Sequence, residues 1–188
     1  MTDYPKLVEQ VDDLTARLRV RYHNHLVCQA GCSGCCQHHL AVFPVEAASL
    51  KDALRALPVV LRMRLRQQAL DTQAREAADR DAACPLLVED RCAVYAKRPL
   101  ICRTQGLPLL YASEDGEPEV DFCPLNFTAP QAIADLEEHY LIPLDKLNLQ
   151  LALANLEYCH AQAIPAEQSG VRPSMREVVL EATDAERG

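Results

Sequence analysis

Eight of the nine cysteines in this 188-residue chain lie between Cys28 and Cys123 in four local groups. The groups are Cys28-Gln-Ala-Gly-Cys32-Ser-Gly-Cys35-Cys36, Cys84-Pro-Leu-Leu-Val-Glu-Asp-Arg-Cys92, Cys102-Arg103 and Cys123-Pro124. Only Cys159 stands apart. What such thiols can do depends on their compartment. The N-terminal sequence has no apolar run of about 7–15 residues and carries four acids before residue 14, so it does not read as a secretory signal. No stretch reaches the roughly 18 uncharged apolar residues that a membrane span needs. The expectation is a cytoplasmic protein with no membrane segment, where disulfides are transient and clustered thiols serve metal binding or redox chemistry.

Composition narrows the alternatives. With 49% hydrophobic residues the chain can build its own core, and 12 prolines against 6 glycines fit neither disorder nor a collagen-like repeat. The formal charge of -8 leaves no basic surplus for a phosphate backbone or an anionic lipid surface, so no nucleic-acid partner is expected. Nothing in the sequence identifies a protein partner.

The segments around the cysteines carry helical periodicity. Tyr4, Leu7, Val11, Leu14, Leu18 and Tyr22 form one stripe that leads into the first group. Leu50, Leu54, Leu57, Leu61 and Leu65 continue a second stripe across Pro58, which predicts helices over about 45–57 and 59–80. From Ala83 to Arg103 no period is sustained, which predicts irregular backbone held by something other than a hydrogen-bond ladder. Two short apolar pieces around Ser113-Glu-Asp-Gly116 predict a hairpin. Thr128-Ala-Pro-Gln131 resembles a capping box ahead of a helix to about Tyr140. Leu144, Leu147, Leu151, Ala154 and Tyr158 predict a further helix, and Leu149, Leu153 and Leu156 broaden its stripe enough to bury it on two sides. Ser174-Met-Arg-Glu177 caps a short terminal helix, or the polar segment from Pro165 is a mobile tail. The expected fold is mainly α: a small single domain of about five helices with a short β-hairpin and irregular loops organised around a cysteine-rich metal site. Its bounds are 1–164, with the motif region at 26–125 and a tail or short helix at 165–188.

Soft thiolates select zinc or iron–sulfur clusters over magnesium or calcium. Gly31, Ser33 and Gly34 let backbone amides approach sulfur, where they can donate hydrogen bonds. Cys35 and Cys36 are adjacent, so chelation of one ion by both would be strained. The ordered series Cys28-x3-Cys32-x2-Cys35-Cys36, Cys84-Pro-Leu-Leu, Cys92-Ala-Val-Tyr-Ala-Lys-Arg-Pro-Leu-Ile-Cys102-Arg103 and Cys123-Pro124 resembles the YkgJ-type cysteine-cluster family, the CxxCxxCC zinc- or iron-chelating domain. The first spacing departs from the eponymous motif by one residue. The resemblance implies that Cys28, Cys32, Cys35, Cys36, Cys84, Cys92, Cys102 and Cys123 are metal ligands. A related region in flagellin lysine methylases is associated with an iron–sulfur cluster, but this chain is too short for that activity to be carried over.

Two other readings of the spacing compete. Cys28-x3-Cys32-x2-Cys35 is also the spacing of the radical S-adenosylmethionine motif, but no run of βα units follows and five cysteines would go unexplained. Eight thiols also suffice for two closed zinc sites, although zinc ribbons usually present paired CxxC knuckles that are missing here. The balance falls toward an iron–sulfur cluster over zinc, in a structural or redox role. A metalloenzyme with an open metal position and a zinc-stabilised interaction module are the alternatives.

Arg98 and Arg103 sit beside the second cysteine group, either to tune a thiolate site or to make structural bonds to loop carbonyls and to acids such as Glu89 and Asp90. Tyr95 is expected in the core. His23, His25, His38 and His39 flank the first group but are not needed to fill a shell. In the run Arg62, Arg64, Arg66, with Arg55, at least Arg55, Arg62 and Arg66 fall on one helical face, which is expected to be a solvated face rather than a nucleic-acid surface, because no aromatic residues are interleaved. Cys159 is expected as a small buried hydrophobe.

Overall fold

The computed structural model describes residues 3–77 and 83–184. In chain order it contains helices α1 (Tyr4–Arg21), α2 (Pro44–Arg55) and α3 (Val59–Ala77), strands β1 (Leu87–Val88) and β2 (Arg91–Cys92), and helix α4 (Leu100–Thr104). Strands β3 (Leu109–Ala112), β4 (Pro118–Asp121) and β5 (Ile142–Pro143) follow, then helices α5 (Leu144–Ala161), α6 (Ala166–Ser169) and α7 (Met175–Thr183). The mainly α class expected from the sequence is therefore what forms. The chain divides into two compact units, one of Met1–Gln29 with Leu100–Glu157, the other of Ala30–Pro99 with Tyr158–Gly188.

In the first unit, α1 buries Tyr4, Leu7, Val11 and Leu18, the stripe read from the sequence, and Pro5 sits in its first turn, where a missing N–H costs nothing. It packs against α4, and Arg103 of α4 reaches both carboxylate oxygens of Asp12 at 2.6 Å. The expected hairpin forms: β3 pairs antiparallel with β4 around Gly116, whose φ of 82° suits glycine, and β5 adds in parallel on the other side of β3.

In the second unit, α7 packs on α2 and α3. Leu50, Leu54, Leu65, Ala69, Leu86, Val178 and Val179 form the core of this unit, with Met175 and Ala182. Ser174 caps α7 reciprocally: its hydroxyl accepts from the Glu177 N–H at 3.2 Å, and its own N–H donates to the Glu177 carboxylate at 2.7 Å. Leu40 and Val42 bond to the chain on either side of Ser174, tying the segment after the first cysteine group to the start of α7.

Several expectations are corrected. Residues 128–140 form a run of turns ending in a 3-10 turn at Glu138–Tyr140, not a helix. Here side chains bond elsewhere: Asp135 to His25, Glu137 to Arg21, and the Glu137 N–H to the Tyr22 hydroxyl at 3.3 Å. Helix α5 is not buried on two sides, since Leu149, Leu153 and Leu156 are 61%, 45% and 53% exposed. Tyr95 is exposed rather than in the core. The stretch from Ala83 to Arg103 contains the β1–β2 ladder and α4, which no period announced. The end of the expected 59–80 helix, at 78–80, lies outside the described residues. Among the described residues no helix is long and apolar enough to cross a membrane.

Candidate metal centre

The second unit gathers five of the eight clustered cysteines. A bend at Gly31, with φ of 94°, leads into a 3-10 turn over Gly34–Gln37 that carries Cys35 and Cys36. The Cys36 carbonyl accepts from the Cys84 N–H at 2.7 Å, so the first and second cysteine groups are joined backbone to backbone. From Cys84 the chain turns through a Leu87 N–H bond to the Cys84 carbonyl and enters the β1–β2 hairpin, in which Cys92 pairs with Leu87. The two turn residues, Glu89 and Asp90, have φ of 51° and 58°, the left-handed conformation of a tight hairpin turn that Asp tolerates better than most residues. Asp90 also accepts a hydrogen bond from the Ser33 hydroxyl at 2.7 Å, which holds the hairpin tip against the first cysteine loop.

Electrostatics follow from this placement. A hydrogen bond from the Cys36 thiol, helped by the Cys35 backbone N–H and the charges of Arg98 and His38, pulls the Cys35 thiol down to about 6 against the opposing effect of burial. Burial pushes Cys84 up to about 11, and the fields of Cys92 and Cys35 push the same way, while the Leu86 N–H opposes them. Cys92 is raised by burial, opposed by the Val94 N–H and Arg98. Cys36 thus acts on Cys35, and Cys35 and Cys92 each act on Cys84. Cys32 stands exposed on the same loop.

Of the two arginines expected near the thiols, Arg98 acts on Cys35 and Cys92. It bonds the Tyr95 carbonyl at 2.9 Å, and its guanidinium stands 3.4 Å from the centre of the Tyr95 ring, which explains that exposed ring as a platform. Arg103 is 5% exposed and pairs with Asp12 at 2.6 Å. Glu89 pairs with Arg64 at 3.2 Å, and Arg55 and Arg66 pair with Asp52 and Asp184, so the arginine-rich face is compensated by acids. Cys159 is buried, as a small hydrophobe would be.

The first unit holds Cys28, Cys102 and Cys123, all half-buried. Cys28 and Cys123 both lie against Gly106: a Cβ there would stand 2.8 Å from the Cys28 sulfur and 3.8 Å from the Cys123 Cβ. Asn126 is 1% exposed and completes the cradle. Its amide nitrogen lies 3.4 Å from the Cys28 sulfur and donates to the Gly106 carbonyl at 2.7 Å, and its amide oxygen accepts from the Val27 N–H at 2.9 Å. Neither Asn126 nor Gly106 was singled out by the sequence, where the only sign of Asn126 is its place three residues after Cys123. Among the described residues no three His, Cys, Asp or Glu side chains stand together at ligating geometry, so the thiols are grouped but not closed on a point.

Thiols grouped by short loops on a helical scaffold, with the Asn126 amide beside the Cys28 sulfur, make this a cysteine-rich domain. The model of the CxxCxxCC family, described as "Putative zinc- or iron-chelating domain", matches residues 27–124, just over half of the chain and all eight clustered cysteines. The chain belongs to that family. No curated protein and no solved structure matches it.

Proposed function

We propose that the protein binds an iron–sulfur cluster or zinc through the thiolates of Cys28, Cys32, Cys35, Cys36, Cys84, Cys92, Cys102 and Cys123, in a structural or redox role. The observation that carries this reading is the chain of pairs that links Cys36 to Cys35, Cys35 to Cys84 and Cys84 to Cys92, together with the Cys84 to Cys36 backbone bond. Soft donors carried on a short 3-10 turn and a two-residue hairpin suit a thiophilic metal, whose binding free energy would stabilise such small elements. Iron–sulfur is favoured over zinc by the cysteine spacing, which has few paired knuckles. When bound, a cluster would supply one-electron chemistry, and zinc a cross-link. Arg98 offsets the negative charge of the thiolates, and the Ser33–Asp90 bond holds the hairpin tip to the loop. A reducing compartment is the setting in which these thiols stay available.

Anaerobic purification with an absorption spectrum, metal analysis and acid-labile sulfide tests the proposal. Brown protein containing iron and sulfide supports the cluster, and colourless protein with about two zinc ions, one for each four donors, supports zinc. Protein that takes up neither metal from supplemented medium contradicts the proposal.

A further inference from the structure

Residues 144–157 of α5 lie in the first unit and bury Leu147, Leu151 and Ala154. Leu149, Leu153 and Leu156 recur at spacings of four and three on the other side of the helix, so this stretch carries a second apolar row, and that row stands exposed. Single exposed leucines are ordinary, but a contiguous row of them marks a surface that receives a partner. The charges beside the row say which partner fits. Lys146 and Glu157 are both exposed, and among the described residues neither forms an ion pair. Eleven positions separate them, a rotation of about 20° at about 100° per residue, so they lie on one line along the same flank of the row, one at each end. Asp145, on the opposite flank, is already committed and accepts from the Ala112 N–H at 2.9 Å.

In a two-fold pair of antiparallel helices each flank faces the same flank of the other copy, so Lys146 of each chain meets Glu157 of the other at both ends of the row. A parallel copy would set that flank against the opposite one and leave the two charges unmatched. A lipid surface calls for basic residues along the polar side of such a helix, which one base and one acid in a chain of formal charge -8 do not supply. We infer that the exposed leucine row of α5 is a homodimer surface: a second copy of this chain packs its own Leu149, Leu153 and Leu156 against it, antiparallel, with Lys146 and Glu157 paired across each end. The row is short, so the contact belongs to the class that buries less than about 1,200 Å² in total, and the dimer is weak, forming from a chain that is folded as a monomer when dilute. The inference holds whichever metal the thiols bind.

Sedimentation equilibrium of the full chain, kept reduced so that no intermolecular disulfide contributes, tests it from about 1 μM to about 1 mM, the range in which a contact of this size passes from monomer to dimer. The parent shifts from monomer to dimer across that range. Leu153→Glu sets a carboxylate into the seam and weakens the dimer at least about tenfold with unchanged far-ultraviolet circular dichroism, and Leu149→Glu, at the most exposed of the three leucines, does the same. Lys146→Glu and Glu157→Lys each bring like charges together at both ends and weaken it about threefold to tenfold, while the double exchange Lys146→Glu/Glu157→Lys restores the parent affinity to within about threefold. A parent that stays monomeric throughout overturns the inference, and so does a dimer that both leucine variants leave unchanged. A dimer lost in Leu153→Glu whose charge variants are not rescued by the double exchange overturns the antiparallel pairing.

Discussion

At Gly106 one absent carbon makes room for the Cys28 sulfur. The position has a φ of +86°, and a Cβ would meet the Cys28 sulfur at 2.8 Å and the Asn126 amide at 3.1 Å. Both the backbone and the space therefore exclude a side chain. Gly106→Ala is expected to cost about 1–3 kcal/mol in chemical denaturation, as overpacking does, and to displace Cys28; a change near zero would mean that the cradle is not tight. A second residue-level test uses the asymmetry of Arg103 and Asp12, whose side chains are 5% and 49% exposed. Asp12→Ala leaves a buried guanidinium without its carboxylate and is expected to cost about 3 kcal/mol, whereas Arg103→Met leaves a carboxylate already half in water and is expected to cost less. The reverse order would contradict the structural role assigned to Arg103. Residues such as Gly106 and Asn126 were not legible in the sequence, because a close approach is made by segments far apart in the chain and leaves no local spacing.

At the level of elements, what could be read was whatever carried its own period. The stripes of α1, α2 and α3 follow from leucine and valine positions that bury together, and the capping box at Ser174 marks the start of α7 by chemistry alone. Ser174→Ala is expected to cost about 1 kcal/mol and to fray α7. The Ser174 N–H and hydroxyl hold the Glu177 carboxyl below its ordinary value of 4.5, so the stabilisation is present above that value and is lost as pH falls through the lowered one. Ser174→Ala removes the hydroxyl that donates to this carboxylate at 2.8 Å, so the stability gap to the parent should narrow in acid; a gap independent of pH would count against that hydroxyl–carboxylate bond. Residues 128–140 escaped prediction because their acids bond to Arg21 and His25, contacts that outweigh a capping signature. The exposed row of α5 was misread because apolar character shows that a face can be buried, not that it is. Leu149→Gln and Leu153→Gln are expected to change stability by no more than about 0.5 kcal/mol, and a loss above about 2 kcal/mol in thermal denaturation would contradict their exposure.

For the molecule as a whole, the order of the eight cysteines was legible, and with it the family. Their division was not. Cys28 and Cys32 are four positions apart yet belong to different compact units, because the boundary falls after Gln29, and no spacing rule places a boundary inside a motif. The central claim is that sulfur from these cysteines holds the metal. X-ray absorption at the metal edge of the anaerobically purified, full-length protein tests it most directly. The account predicts a first shell dominated by sulfur at about 2.3 Å. A shell made only of nitrogen and oxygen at about 2.0–2.2 Å would contradict it.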